Sequence, residues 1–148
     1  MTQMEALKAI AARDGGLLRP AAVVEEARPK DSPLHGRFEW DNRKAGEKYR
    51  LLQAQKLIRE FYVEIEDGVK GRAFVNLSID RTEGKADNPY RPVESLRDHP
   101  DLLEVAMNDA LDELEALRER YTYLKALKDV WDAIDAHSAN RKKGKARA

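Results

Sequence analysis

Phe61-Tyr62-Val63-Glu64-Ile65-Glu66 is the stretch where the chain changes its period. Before it, apolar side chains recur at helical spacing. Within it, Phe61, Val63 and Ile65 alternate with Glu64 and Glu66, the two-residue rhythm of a half-buried strand. After Asp67-Gly68-Val69-Lys70-Gly71 the alternation resumes, with Val75, Leu77 and Ile79 set against Asn76 and Ser78. Two alternating runs about a glycine-containing loop predict a β-hairpin over 61–79. A lone hairpin is marginal in water, so it requires a helix or a further strand against it. The expected fold is therefore α+β and mostly α.

Upstream, a helical head is expected over 1–60. Thr2 and Glu5 have capping-box spacing at the start of a helix over 3–13, whose apolar stripe is Leu7, Ile10 and Ala11. Asp14-Gly15-Gly16 is its expected stop, because glycine accepts the left-handed conformation that ends helices. Pro20 opens a second helix, with Val23, Val24 and Ala27 facing inward, and Pro29 ends it. Ser32-Pro33 predicts a single further turn through Arg37, and Asp41 caps a longer basic helix to about residue 60. Three helical pieces followed by a basic helix resemble a helix-turn-helix head, for which the hairpin would serve as a wing.

Downstream, 80–99 is rich in turn formers (Gly84, Asp87-Asn88-Pro89, Pro92) and is expected to be a linker or boundary. A helix is predicted over 100–137, either one long coiled-coil-like helix or a helical hairpin broken near Arg120-Tyr121-Thr122. Leu103, Ala110, Leu117, Leu124 and Trp131 occupy one heptad position, and Met107, Leu114, Tyr121 and Lys128 the other. That seam predicts self-association, as a dimer or a larger assembly, through Leu103, Met107, Leu114, Leu117, Tyr121, Leu124 and Trp131. The basic tail, 138–148, is expected to be disordered.

The formal charge is zero, but it is unevenly distributed. Residues 1–60 hold 12 basic and 9 acidic side chains, residues 101–137 hold 4 and 10, and the last eleven hold five basic ones and no acid. A basic head, an acidic helix and a basic tail fit nucleic-acid binding, in which cations displace the counterions of phosphates. The residues expected to carry it are His35, Arg37, Arg43, Lys44, Lys48 and Arg50 in the head and Arg141, Lys142 and Lys143 in the tail. The same residues also fit an ordinary solvated surface, and Leu34, Phe38 and Trp40 fit a structural corner that fills the core of the head. The acidic residues are expected to form the wet face of an oligomerisation helix, or else to mimic nucleic acid or dock a basic partner.

Cysteine is absent, which excludes disulfides and thiolate metal sites. His35, His99 and His137 are isolated from one another and form no HExxH-type pair, and no glycine-rich phosphate loop or nucleophile elbow occurs. No catalytic residue, metal site or cofactor is expected. No apolar run approaches the roughly 20 residues that span a bilayer, and the first 13 residues lack a signal-peptide layout, so a cytoplasmic protein is expected.

One resemblance bears on origin. Gly16-Leu17-Leu18-Arg19-Pro20-Ala21-Ala22-Val23-Val24-Glu25-Glu26-Ala27-Arg28, followed by Ser32-Pro33-Leu34-His35 and Phe38-Glu39-Trp40-Asp41, is similar to small uncharacterised proteins encoded by bacteriophages and prophages. The likeness covers roughly residues 10–60 well and the rest more loosely. It implies a phage origin in a bacterial host and brings no established activity.

Overall fold

The computed structural model describes residues 1–14, 18–85 and 87–147. The expected glycine stop at Gly15-Gly16 lies outside the described residues. The fold is α+β, with five α-helices and two small antiparallel sheets among the described residues. It divides into two units, Met1–Leu57 and Ile58–Ala148.

In the first unit, α1 (Gln3–Arg13) begins with the anticipated capping box: the Thr2 hydroxyl accepts from the Glu5 N–H while the Glu5 carboxylate accepts from the Thr2 N–H. α2 (Pro20–Ala27) has proline in its first turn, where a missing N–H costs nothing. The core is small: Ala6, Ile10, Ala27 and Leu34, with Leu7, Val23, Phe38 and Trp40 packed against it. Ala6 takes the place expected of Ala11, which is only half-buried. The third helical piece is a single 3₁₀ turn, His35–Arg37. That is the single turn through Arg37 that Ser32-Pro33 predicts.

α3 (Asn42–Arg59) starts on Asp41, whose carboxylate accepts from the N–H groups of Arg43 and Lys44, both at 3.0 Å. None of its residues is buried. Ala45, Leu51 and Ile58 are half-buried, whereas Tyr49, Leu52 and Leu57 stand exposed among its charged residues. It crosses the unit boundary, which falls at Leu57/Ile58 rather than at residue 60.

In the second unit, β1 (Tyr62–Glu66) pairs antiparallel with β2 (Val69–Arg72). The return strand was expected at 75–79. It starts at Val69 instead, because Asp67-Gly68 alone makes the turn, with Gly68 at φ 77. The register shifts between Glu64 and Glu66, and the Ile65 side chain lies over Gly71, where a Cβ would collide with it. The strand expected at 75–79 goes elsewhere: β3 (Phe74–Val75) pairs with β4 (Arg91–Pro92), and Leu77 enters the core. Ala73 links the two ladders, donating to the Phe61 carbonyl and accepting from the Val93 N–H. The hairpin belongs to this unit.

Residues 80–99 are thus no boundary. Asp80 and Arg91 clamp the base of the loop in a two-pronged ion pair of 2.6 and 2.7 Å, and Arg91 holds the Asp80 carboxyl below its usual range. Inside the loop, Asn88 accepts from the Thr82 N–H and donates to the Lys85 carbonyl. A 3₁₀ turn, Val93–Leu96, then delivers Leu96 to a core shared with Leu77 and Leu102.

The segment 100–137 is two helices. α4 (Pro100–Arg120) ends at Tyr121, the chain turns, and α5 (Lys128–Arg147) runs back along it. Arg118 reaches Trp131 and Asp135, while Arg141 reaches Glu104 and Asn108, which fixes the antiparallel pairing. The turn breaks the heptad register. Leu124 sits in it, 42% exposed, and Lys128 is on the surface. α5 continues through the tail expected to be disordered, because Arg141 and Lys145 both pair with Glu104.

Candidate nucleic-acid interface

His35 is held in place by its neighbours. Its Nδ1 lies 2.9 Å from the Ala27 carbonyl, and because a carbonyl only accepts, Nδ1 carries the proton. Its ring stacks on Trp40 at 5.1 Å, the Trp40 indole N–H donates to the His35 carbonyl, and the Arg28 guanidinium lies over the same indole. The SPLH…FEW block is therefore a structural corner.

The cations around it differ in their commitments. Arg37 and Arg43 are exposed and make no ion pair among the described residues. Lys48 lies 3.4 Å from Glu39 and Arg50 2.7 Å from Glu47. The Asp41 backbone N–H, with help from Lys48 and Lys44, keeps the Glu39 carboxyl below its usual range and hence charged. Solvent-exposed pairs of this kind are weak and screened by salt, so a phosphate can replace the glutamate. In the tail, Arg141 is largely covered and committed to Glu104, whereas Lys142 and Lys143 are exposed on α5. The structure thus separates the nine expected residues into a fixed histidine, an exposed Arg37 on the 3₁₀ turn, four exposed cations on α3 and a partly docked tail.

The expected seam is divided as well. Leu102, Val105 and Ala106 of α4 serve the core of the second unit. Met107, Leu111 and Leu114 face Val130, Ala133 and Ile134 of α5 across an open apolar groove. Trp131 lies under Arg118 at 5.6 Å. Leu103, 48% exposed, lines another groove beside Val63, Ile65 and Leu96. Leu117 and Tyr121 are half-buried, and Tyr121 is the C-cap of α4.

One feature of the second unit was not legible in the sequence. Arg59, Arg72 and Arg81 converge on a groove of about 550 Å³ that also has Tyr90, Asp109 and Glu113 in its walls. These residues come from the end of α3, from β2, from the 80–91 loop and from α4, so no local motif could announce them. No described group of three His, Asp or Glu side chains is arranged to hold a metal ion, and no described helix is long and apolar enough to cross a membrane.

Comparison of the chain with family models, with curated proteins and with solved structures gave no match.

Proposed function

We propose that this is a phage-encoded, non-enzymatic protein that self-associates and binds nucleic acid through its basic head inside the bacterial host. The observation that carries the reading is the state of α3: none of its residues is buried, and it displays Arg43, Lys44, Lys48 and Arg50, all exposed, within its first three turns. Cations on a rigid helix contact phosphates with little loss of side-chain freedom beyond their own rotamers. Arg37 in the same unit is exposed as well, and Lys142 and Lys143 of the other unit are exposed on α5. The phage origin rests on the SPLH…FEWD block.

The test is a gel shift at low salt with duplex DNA, single-stranded DNA and RNA. Replacing Arg43, Lys44 and Lys48 by alanine together should lower the salt slope by roughly 2 to 3 units, at about 0.7–0.9 per phosphate contact. Absence of retention of any nucleic acid by the wild type would remove the reading.

Self-association is supported by the apolar groove along α4 and α5, with Met107 43% and Val130 49% exposed. Both are surface residues, so replacing them by lysine tests association without emptying a core. Light scattering should show a fall in mass, and a monomeric wild type would refute it. A second reading, an adaptor or inhibitor that binds a phage or host protein, is favoured by the exposed Phe61, Tyr62, Ile65 and Val69 of the hairpin. The two separate by salt, because apolar contacts persist where phosphate contacts dissolve.

A further inference from the structure

We infer that the arginine-lined groove of the second unit is a seat for single-stranded nucleic acid, with phosphates on Arg59, Arg72 and Arg81 and a base against Tyr90. This rests on the nucleic-acid reading and adds a site to it that the head does not contain. Among the described residues, most other arginines are neutralised by a carboxylate, as in Arg91–Asp80 and Arg118–Asp135. The three in the groove are not. Arg59 donates to the Tyr90 hydroxyl, at 3.3 Å, and Arg81 to the Asn76 side-chain and backbone oxygens, at 2.7 Å, none of them a carboxylate. Their charge is therefore available to a ligand, and the groove volume lies in the range of ligand sites.

The rest of the lining decides the class of ligand. A free inorganic anion would be repelled by Asp109 and Glu113 on the α4 wall. A nucleotide unit is matched by both walls: guanidinium groups take its phosphates, and carboxylates accept from exocyclic amino groups of a base. Asp109 already accepts from the Ser78 N–H at 2.8 Å, which leaves Glu113 as the freer acceptor. Tyr90 and Phe74 are half-buried in the same groove and supply the flat apolar surface on which an unpaired base stacks. A base within a duplex cannot reach such a surface, which is why the single strand is the form that fits.

The experiment is fluorescence anisotropy on the full chain, with labelled 20-mers of single-stranded DNA, single-stranded RNA and duplex DNA over a salt series. Arg59→Ala with Arg72→Ala should weaken single-strand binding at least tenfold and lower the salt slope by roughly 1.4 units. Arg59→Lys with Arg72→Lys should restore most of the slope. Tyr90→Ala should weaken binding about tenfold, whereas Tyr90→Phe should be near wild type. Thermal melts of each variant show whether the fold survives, and the lysine and phenylalanine variants keep the test valid where an alanine variant unfolds. The DNA and RNA arms show which strand is preferred. If the wild type binds, the groove variants match it and the head triple variant loses binding, the groove is overturned and the head reading stands. If the wild type binds no nucleic acid, both are overturned. Equal binding of duplex and single strand by wild type and groove variants alike also overturns the groove.

Discussion

Replacing Arg118 by methionine should loosen α5 from α4 without unfolding the molecule. No residue of α5 is fully buried, so few contacts hold it. Arg118 is central among them. With 23% of its side chain exposed, it donates to the Trp131 carbonyl at 2.7 Å and to Asp135 at 3.0 Å, and its guanidinium covers the Trp131 indole. Methionine keeps the apolar stem and removes the head. A hydrogen bond from a charged donor contributes about 1.5–3 kcal/mol, and the cation–π contact about 0.5–1 kcal/mol. The pair with Asp135 counts for little, because that carboxylate is mostly exposed. Against these stands the Arg118 Nε, buried without a hydrogen-bond partner, whose removal returns about 1 kcal/mol. The net loss is about 2 kcal/mol, or roughly a thirtyfold fall in the protection of α5 amides. An isolated helix of this length is marginal in water, so the lost docking appears as local opening. Hydrogen exchange read by mass spectrometry is the assay, with α1 as the internal reference. Protection of α5 within about threefold of wild type, with α1 unchanged, would refute the reasoning.

Leu77→Ala should destabilise the second unit by about 2–4 kcal/mol, because Leu77 is 2% exposed and, among the described residues, shares its core with two other buried ones; chemical denaturation followed by circular dichroism measures it. Thr2→Ala should cost about 1 kcal/mol and fray the start of α1, since it removes the hydroxyl half of the capping box; exchange rates of the first-turn amides report this. Glu104 has its pKa lowered, first by the hydrogen bond from Lys145 and then by Arg141. The stability from this pairing is therefore present above the ordinary carboxylate pKa of 4.5 and is lost as pH falls through the lower folded value. The C-terminal turns of α5 should open in acid, Glu104→Gln should remove that dependence, and a pH-independent wild type in exchange experiments would contradict the assignment.

Much of the local structure was written in local signals. The capping box at Thr2 and Glu5, the proline start of α2 and the Asp41 cap of α3 each depend on residues within one helical turn. Each formed where expected. The switch to strand period at Phe61 was also local and correct. Pairing partners were not local. Val75 alternates well enough to be a hairpin strand, yet the two-residue turn at Asp67-Gly68 uses Val69 first, and Val75 pairs with Arg91 instead. Likewise the heptad count ran unbroken from residue 103 to 131 and left one helix and a helical hairpin both open; the chain reverses after Arg120, at the break that Arg120-Tyr121-Thr122 marked.

The sequence by itself determined the class of fold, the helix starts, the change of period and the uneven charge, all of which follow from side chains within a few residues of one another. Tertiary structure alone decided which of those charges are committed. It gave His35 to a structural corner, tied Arg141 to Glu104 across 37 residues, and gathered Arg59, Arg72 and Arg81 into one groove. The reason is that burial, ion pairing and convergence depend on distances in space, and residues far apart in the chain acquire those only when the core has formed.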